Sequence, residues 1–137
     1  MSTLKKTIRL QSSDLFPTAV DFTVVKNEVI GGLQSSFQSI DVPANSSVTL
    51  FDSDQSVGDG GVLYVYLQSN ATNPNTALEL SITNKTNDKT SFFSRLFPGD
   101  VATLPLYAND ENGIELSIKN LNSTQSANIY FFAGEKS

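Results

Sequence analysis

Short apolar runs alternate with clusters of turn-forming residues along the whole chain, at intervals of about ten residues. The separating segments, such as NATNPN, NKTNDK and NLNSTQS, consist of residues that favour turns. No stretch has the spacing of a long amphipathic helix. The pattern predicts an all-β fold, an antiparallel β-sandwich of about eight to ten short strands, with a jelly roll as one arrangement of them. The predicted strands are 6–11, 21–25, 37–42, 47–51, 62–68, 77–83, 92–97, 102–107, 114–120 and 128–132.

Two missing residue types exclude most forms of side-chain chemistry. The chain contains no cysteine and no histidine, so it has no disulfide, no thiolate or imidazole metal ligand, and no Ser-His or Cys-His nucleophilic pair. A net charge of −5 and a pI of about 4.5 oppose phosphate backbones and anionic membranes, so we expect no nucleic acid and no membrane as partners. The start MSTLKKTIRL lacks the apolar core of a secretory signal, and we expect a protein that is soluble where it is made.

Acidic side chains offer two further possibilities, a calcium loop and a pair of catalytic carboxylates. The segment DSDQSVGDGG resembles an oxygen-rich calcium loop, but Val57 and Leu63 stand where an EF-hand has its glycine and its bidentate acid. The other acids lie in predicted turns or at outward strand positions, and no tryptophan is present to stack on a sugar. The sequence therefore predicts a solvated acidic turn, no metal site, no cofactor and no enzymatic activity. The oxygen-bearing residues of the segment are Asp52, Asp54, Ser56 and Asp59.

Two predicted strands nearly repeat each other, LELSITN at 78–84 and IELSIKN at 114–120. Because alternate side chains of a strand face opposite ways, the Leu and Ile positions form an inward row and the Glu, Ser and Lys positions face solvent. We expect the two strands to occupy equivalent places in two hairpins.

Three other runs are apolar on both faces, VLYVYLQ at 62–68, FFSRLF at 92–97 and NIYFF at 128–132. A strand of this kind needs cover on both sides, from a second layer, a long loop or a neighbouring subunit. Tyrosine suits subunit interfaces because its ring is apolar and its hydroxyl is polar. A loop at 25–37 that covers these rings within one chain is the alternative. The candidate contact residues are Tyr64, Tyr66, Phe93, Phe97 and Tyr130.

The segment RLFPGDVATLPLY contains a predicted chain reversal. Pro98 presets the φ angle of the second turn position and Gly99 permits a positive φ at the third, which predicts a type II turn from Phe97 to Asp100. Pro105 cannot donate a ladder hydrogen bond, so its strand is predicted to lie at a sheet edge or to bend there.

A basic cluster near the start, formed by Lys5, Lys6 and Arg9, contrasts with the acidic remainder. It is either part of an extended arm that docks onto an acidic neighbour or the solvated face of a first strand. We therefore divide the chain into an N-terminal arm or first strand, residues 1–20, and a β-sandwich domain, residues 21–137.

The order of segments from about residue 61 onward resembles that of the small β-sandwich structural proteins of tailed-bacteriophage virions. The similarity lies in LYVYLQSN, LELSITN, FSRLFPGDVATLPL, IELSIKNLNS and ANIYFFAGE, and the opening TIRLQSSDLFPTAV shares it. The resemblance implies a non-enzymatic capsid decoration (cement) protein, with a neck, tail or baseplate accessory protein as an alternative.

Its implied partners are the major capsid protein or another virion protein and other copies of itself, in a homo-oligomer for which a trimer is favoured. It would be located in the virion and made in the host cytoplasm. The alternative from another class is a binding module whose loops, at one end of the sandwich, contact a glycan or receptor.

Overall fold

The alternating runs form β-strands along the chain. The computed structural model describes residues 2–14, 17–34, 37–53, 62–107 and 113–136, and these residues contain ten strands and no helix. The strands are β1 (Ser2–Ser12), β2 (Val20–Gln34), β3 (Gln38–Val42), β4 (Ser47–Ser53), β5 (Val62–Ser69), β6 (Leu78–Asn84), β7 (Lys89–Leu96), β8 (Val101–Tyr107), β9 (Ile114–Asn120) and β10 (Ala127–Lys136).

All strand pairings among the described residues are antiparallel, and they form two sheets. The six-stranded sheet has the order β1-β2-β10-β5-β8, with β3 also paired to β10, and the four-stranded sheet has the order β4-β9-β6-β7. From β3 onward the chain crosses between the sheets at every connection except β6 to β7. The orders β3-β10-β5-β8 and β4-β9-β6-β7 are those of a jelly roll, so the predicted antiparallel sandwich is confirmed.

The core lies between the two sheets and is filled by alternate residues of the central strands. In β9 the buried and half-buried residues alternate without a break, because one face of the strand meets the core and the other meets solvent. The predicted facing of the two near-repeats is therefore confirmed. Their predicted place in two hairpins is wrong, because β9 pairs with β4 and β6 and with neither of its neighbours in sequence, which lie in the other sheet. The largest fully buried apolar side chains are Phe131, Leu63, Leu67, Leu78, Leu116, Ile118, Ile129 and Val42.

Strands β1 and β2 form a long two-stranded ribbon ahead of the jelly roll. Their register is unbroken from Ser2 opposite Ile30 to Ser12 opposite Val20. The end of β2 joins the six-stranded sheet by pairing with the last residues of β10, beyond the part of β10 that pairs with β3. The alternative of a covering loop at 25–37 is wrong in its conformation, since most of that segment belongs to β2. Its other part is confirmed, because Lys26 and Phe37 of this segment lie against Tyr64, Tyr66 and Tyr130 within one chain.

The corner between β7 and β8 carries the chain from one sheet to the other. Gly99 has a φ of +85°, and the Asp100 N–H donates to the Phe97 carbonyl at 2.9 Å, which confirms the predicted turn. The Phe97 N–H donates in return to the Asp100 carboxylate at 2.9 Å. The strand β8 that follows lies at an edge of the six-stranded sheet, as predicted from Pro105.

Candidate functional site

Tyr64 lies beneath the ribbon, on the outer face of β5. Tyr64 is 7% exposed, and the Nζ atoms of Lys6 and Lys26 lie 5.5 Å and 6.0 Å from the centroid of its ring. The ribbon of the same chain therefore covers the outer face of β5 at Tyr64, and no second subunit is required there. Tyr64 offers almost no surface to another molecule, and we leave it out of the candidate contact set.

A buried ion cluster fastens the base of the ribbon at this place. The side chain of Glu28 is 1% exposed, and its Oε1 lies 3.0 Å from Lys6 Nζ and 3.3 Å from Lys26 Nζ. Beside the cluster, Ile30 of β2 packs over Gly134 of β10 so closely that a Cβ added at Gly134 would lie 2.8 Å from Ile30 Cγ2. Charge pairing and close packing together hold the ribbon on the outer face of the six-stranded sheet.

Tyr66 and Tyr130 share an aromatic neighbour that the sequence did not single out for contact. The ring centroid of Phe37 lies 5.9 Å from that of Tyr66 and 5.7 Å from that of Tyr130, both in tilted orientations. Tyr66 is half-buried, whereas Phe37 and Tyr130 are exposed. These three rings form a partly exposed aromatic cluster on the outer face of the six-stranded sheet.

Three exposed phenylalanines follow one another along the edge strand β7 and its corner. Phe92 is 63% exposed, and Phe93 and Phe97 are exposed as well. The alternation in the sequence places Phe92 on the same face as Leu96, and this is wrong, because a β-bulge inserts Phe93 as an extra residue between Phe92 and Ser94. Phe92 consequently pairs with Ser81 on the outer face of the four-stranded sheet, while Leu96 is buried. We name Phe92, Phe93 and Phe97 the phenylalanine edge.

The ribbon bears an apolar face of its own near its free end. Ile8 lies opposite Val24, and Leu10 lies opposite Phe22, so all four side chains emerge on one side. Leu10 is 60% exposed and Phe22 is 53% exposed. We name these four residues the ribbon face. The signal for this face in the sequence is the alternation of apolar residues in TIRL and in DFTV.

The cations Lys5, Lys6 and Arg9 do not form one docking surface. Lys6 lies on the same side as the ribbon face and pairs with Glu28, whereas Lys5 and Arg9 lie on the opposite side. Arg9 makes an exposed two-point contact with Asp21, in which Nε and Nη2 each donate at 3.0 Å.

A groove of about 1060 Å³ separates the ribbon from the body of the sandwich. One wall is β1 from Leu4 to Arg9, and the opposite wall is built by aromatic residues of the six-stranded sheet together with parts of β7 and β8. The cations Lys5, Lys6 and Arg9 contribute to the lining, and no acidic residue of the described part of the chain does so. The aromatic lining residues are Phe37, Tyr66 and Phe132.

The asparagine-rich loops at one end of the sandwich use their amides to hold the fold together. Asn120 is fully buried, and its Nδ2 donates to the carbonyls of Val42 at 3.1 Å and Gln125 at 2.9 Å, while its Oδ1 accepts the Asn122 N–H at 2.9 Å. Asn73 donates to the side chain of Gln125 at 3.1 Å. Because these groups bind one another, the loops present fewer free amides than their composition suggests.

The described residues contain no group of three or more acidic side chains placed to hold a metal ion. Within the segment considered for calcium, Asp52 forms an ion pair with Lys85, and Asp54, Ser56 and Asp59 lie outside the described residues. In the part of the chain that the structure covers, no helix is long and apolar enough to cross a membrane.

Comparison with known proteins finds a similarity at the level of the structure. No family model matches the chain, and no curated protein matches it. Among solved structures, the chain is similar to the crystal structure of Yersinia pseudotuberculosis-derived mitogen (YPM), with 16% sequence identity and a TM-score of 0.48, over 74% of this chain and 86% of the mitogen. The assignment of this chain as a jelly roll follows from its own strand order.

Proposed function

We propose that this chain is a non-enzymatic structural protein of a virus particle, a decoration protein that binds the shell through the phenylalanine edge. It would be made in the host cytoplasm and act in the virion. The order of its segments resembles that of phage virion proteins, and jelly rolls are common in virion proteins. The proposal depends on one observation above the others, namely three exposed phenylalanines within six residues of an edge strand and its corner.

Large aromatic side chains exposed together are costly unless a partner covers them. The surfaces of soluble monomers expose single apolar residues, whereas clustered ones mark interaction sites. Aromatic residues are also enriched at the centres of protein interfaces, where few side chains provide most of the affinity. The phenylalanine edge has this composition.

A repetitive shell compensates for a modest contact area. A standard interface buries about 800 Å² per partner, and three phenylalanines supply only part of that. If neighbouring copies also touch, the second contact becomes intramolecular, and the combined binding exceeds either contact alone.

The alternative, a glycan-binding or receptor-binding module, would use the loops at the end of the sandwich. The internal hydrogen bonds of Asn73 and Asn120 count against it, because these amides are already engaged. We therefore place the decoration function first.

Sedimentation of the purified chain with virions stripped of it tests the proposal. The double substitution Phe92→Ser with Phe93→Ser is expected to weaken binding about a hundredfold, since each exposed ring contributes on the order of 1–2 kcal/mol when covered. Val25→Ser removes an exposed apolar side chain from the other sheet and is expected to leave binding unchanged. Absence of the chain from purified virions, or full binding by the double variant, would reject the proposal. Retention on a glycan array without particle binding would favour the alternative.

A further inference from the structure

The ribbon face is turned toward the sandwich of its own chain. Every second side chain of a strand points the same way, so Lys6 and Lys26 emerge on the same side of the ribbon as this face. The Nζ atoms of both lysines lie over the ring of Tyr64, on the outer face of the six-stranded sheet. Ile8, which belongs to the ribbon face, lines the groove together with Tyr66 of the same sheet. The ribbon face therefore overhangs the outer face of this sheet across the groove.

The wall opposite the ribbon is apolar and largely uncovered. Phe37 and Val101 of this wall are 62% and 50% exposed, and Tyr66 and Phe132 are half-buried. On the ribbon, Leu10 is 60% exposed. Two apolar surfaces of one chain thus face each other with the groove between them, and packing one on the other would remove both from water.

The spacing of residues along the two surfaces matches. Leu10 lies four residues beyond Lys6 in β1, which is about 13 Å along the strand. Gln68 lies equally far beyond Tyr64 in β5, and Val101 of β8 is its partner on the same outer face. The lysine already lies over the tyrosine ring, and residues of all three strands line the groove that starts there. A ribbon that lies down along β5 therefore brings Leu10 to Val101.

The connection between the ribbon and the six-stranded sheet permits this movement. The pairing of β2 with β1 ends at Ile30, and β2 pairs with β10 at Ile30 and at Gln34. Gly31 and Gly32 lie between these two points, and their backbones are the least restricted because they carry no Cβ. Glu28 is close to this pivot, so a rotation of the ribbon displaces the ion cluster much less than it displaces the free end.

We propose that the ribbon is a strap that closes over the groove and packs the ribbon face on the apolar wall of the same chain. The closed strap covers Phe37 and Tyr66, and the open strap leaves them accessible. A partner that binds this wall has to bind the open form, so it competes with the strap. The phenylalanine edge does not line the groove. Closure of the strap is therefore independent of the proposed function, in which the phenylalanine edge binds the shell.

A disulfide engineered between the two surfaces tests the strap, because the chain has no cysteine of its own. With Leu10→Cys and Val101→Cys together, mild oxidation of the dilute full chain should form an intramolecular disulfide, since the closed strap brings the two thiols within bonding distance. Gln11→Cys with Val101→Cys is the matched control, because Gln11 is exposed and adjacent but emerges on the opposite side of the ribbon. Its disulfide should form roughly tenfold more slowly on a non-reducing gel. Thermal unfolding of the reduced variants establishes that each remains folded.

A third substitution shows whether apolar packing drives the closure. Adding Ile8→Ser to the pair at Leu10 and Val101 should slow disulfide formation about tenfold, because the closed strap loses an apolar contact in the groove. Adding Val25→Ser instead should leave the rate unchanged, since Val25 is 54% exposed but emerges on the opposite side of the ribbon. The strap is overturned if no disulfide forms, if the pairs at Leu10 and at Gln11 react equally fast, or if Ile8→Ser and Val25→Ser have equal effects.

Discussion

Glu28 is the charged residue whose removal should damage this structure most. It is the shared anion between Lys6 and Lys26, which lie directly opposite each other on β1 and β2. The substitution Glu28→Gln keeps the size of the side chain and removes its charge. Two ammonium groups then face each other across the ribbon with no anion between them, and like charges directly opposite on paired strands are destabilising.

The magnitude follows from how much water each group can reach. Breaking a buried ion pair by removing one partner costs about 3–5 kcal/mol. Here the side chain of Lys26 is largely exposed, whereas that of Lys6 is largely buried, so part of the uncompensated charge is screened by solvent. We expect Glu28→Gln to lower the free energy of unfolding by about 2 kcal/mol.

Urea unfolding measures this loss, and amide exchange shows where it acts. Asp21→Asn is the matched control, because it breaks the exposed contact with Arg9 in the same ribbon and should cost under about 1 kcal/mol. Adding Lys6→Met to Glu28→Gln removes one of the two facing cations and should recover at least half of the loss. Faster exchange in β2, with the centre of the jelly roll still protected, would locate the damage at the ribbon base. The reasoning is refuted if Glu28→Gln costs no more than Asp21→Asn.

Two further substitutions test the packing on either side of the sandwich. Gly134→Ala should cost about 1–3 kcal/mol, because the new Cβ would lie 2.8 Å from Ile30 Cγ2 and must push the ribbon away, and thermal unfolding with amide exchange in β2 would detect both effects. An unchanged free energy of unfolding would show that the ribbon can move away from residue 134 at no cost. Asn120→Ala should cost about 2–3 kcal/mol, because the buried carbonyl of Val42 and the carbonyl of Gln125 lose their donor, and urea unfolding would measure it. A loss under about 0.5 kcal/mol would mean that water replaces the amide.

The sandwich strands could be predicted from sequence because one face of each is buried. In β9, Ile114, Leu116 and Ile118 alternate with polar residues, and the predicted range equals the observed strand. The run VLYVYLQ, which is apolar on both faces, predicts β5 to within one residue. Where one side of a strand meets the core and the other meets solvent, apolar and polar residues alternate in the sequence with a period of two.

The alternation of apolar and polar residues does not predict the full length of β2, because the buried side of the ribbon includes charged residues. The predicted strand at 21–25 stops where Lys26 and Glu28 begin, yet β2 continues to Gln34. Glu28 is buried only because two lysines neutralise it, and Lys6 reaches it from β1. That compensation requires a pairing register, which a single strand does not reveal.

The exposure of Tyr64 and of Phe92 could not be predicted for a similar reason, because it depends on how other strands pair and pack. Tyr64 is covered by a segment that the sequence assigned to a loop, so its apparent availability disappears once β2 forms. Phe92 is more exposed than the alternation predicts, because the bulge at Phe93 places its side chain on the outer face of the sheet instead of the core face. A bulge depends on the pairing with the partner strand, so the sequence of β7 alone does not reveal it.

Four edge strands of the two sheets, β1, β4, β7 and β8, carry a feature that opposes further strand pairing. Pro105 removes a ladder donor from β8, a bulge inserts Leu50 in β4 and another inserts Phe93 in β7, and cations lie along β1. Association by open-ended addition of strands is thereby disfavoured at these four edges. The apolar surface that remains uncovered lies instead on faces, those of the ribbon and of the outer side of β7. Faces pack onto other faces with a defined end, so a protein built in this way should form closed contacts with a limited number of neighbours rather than fibres.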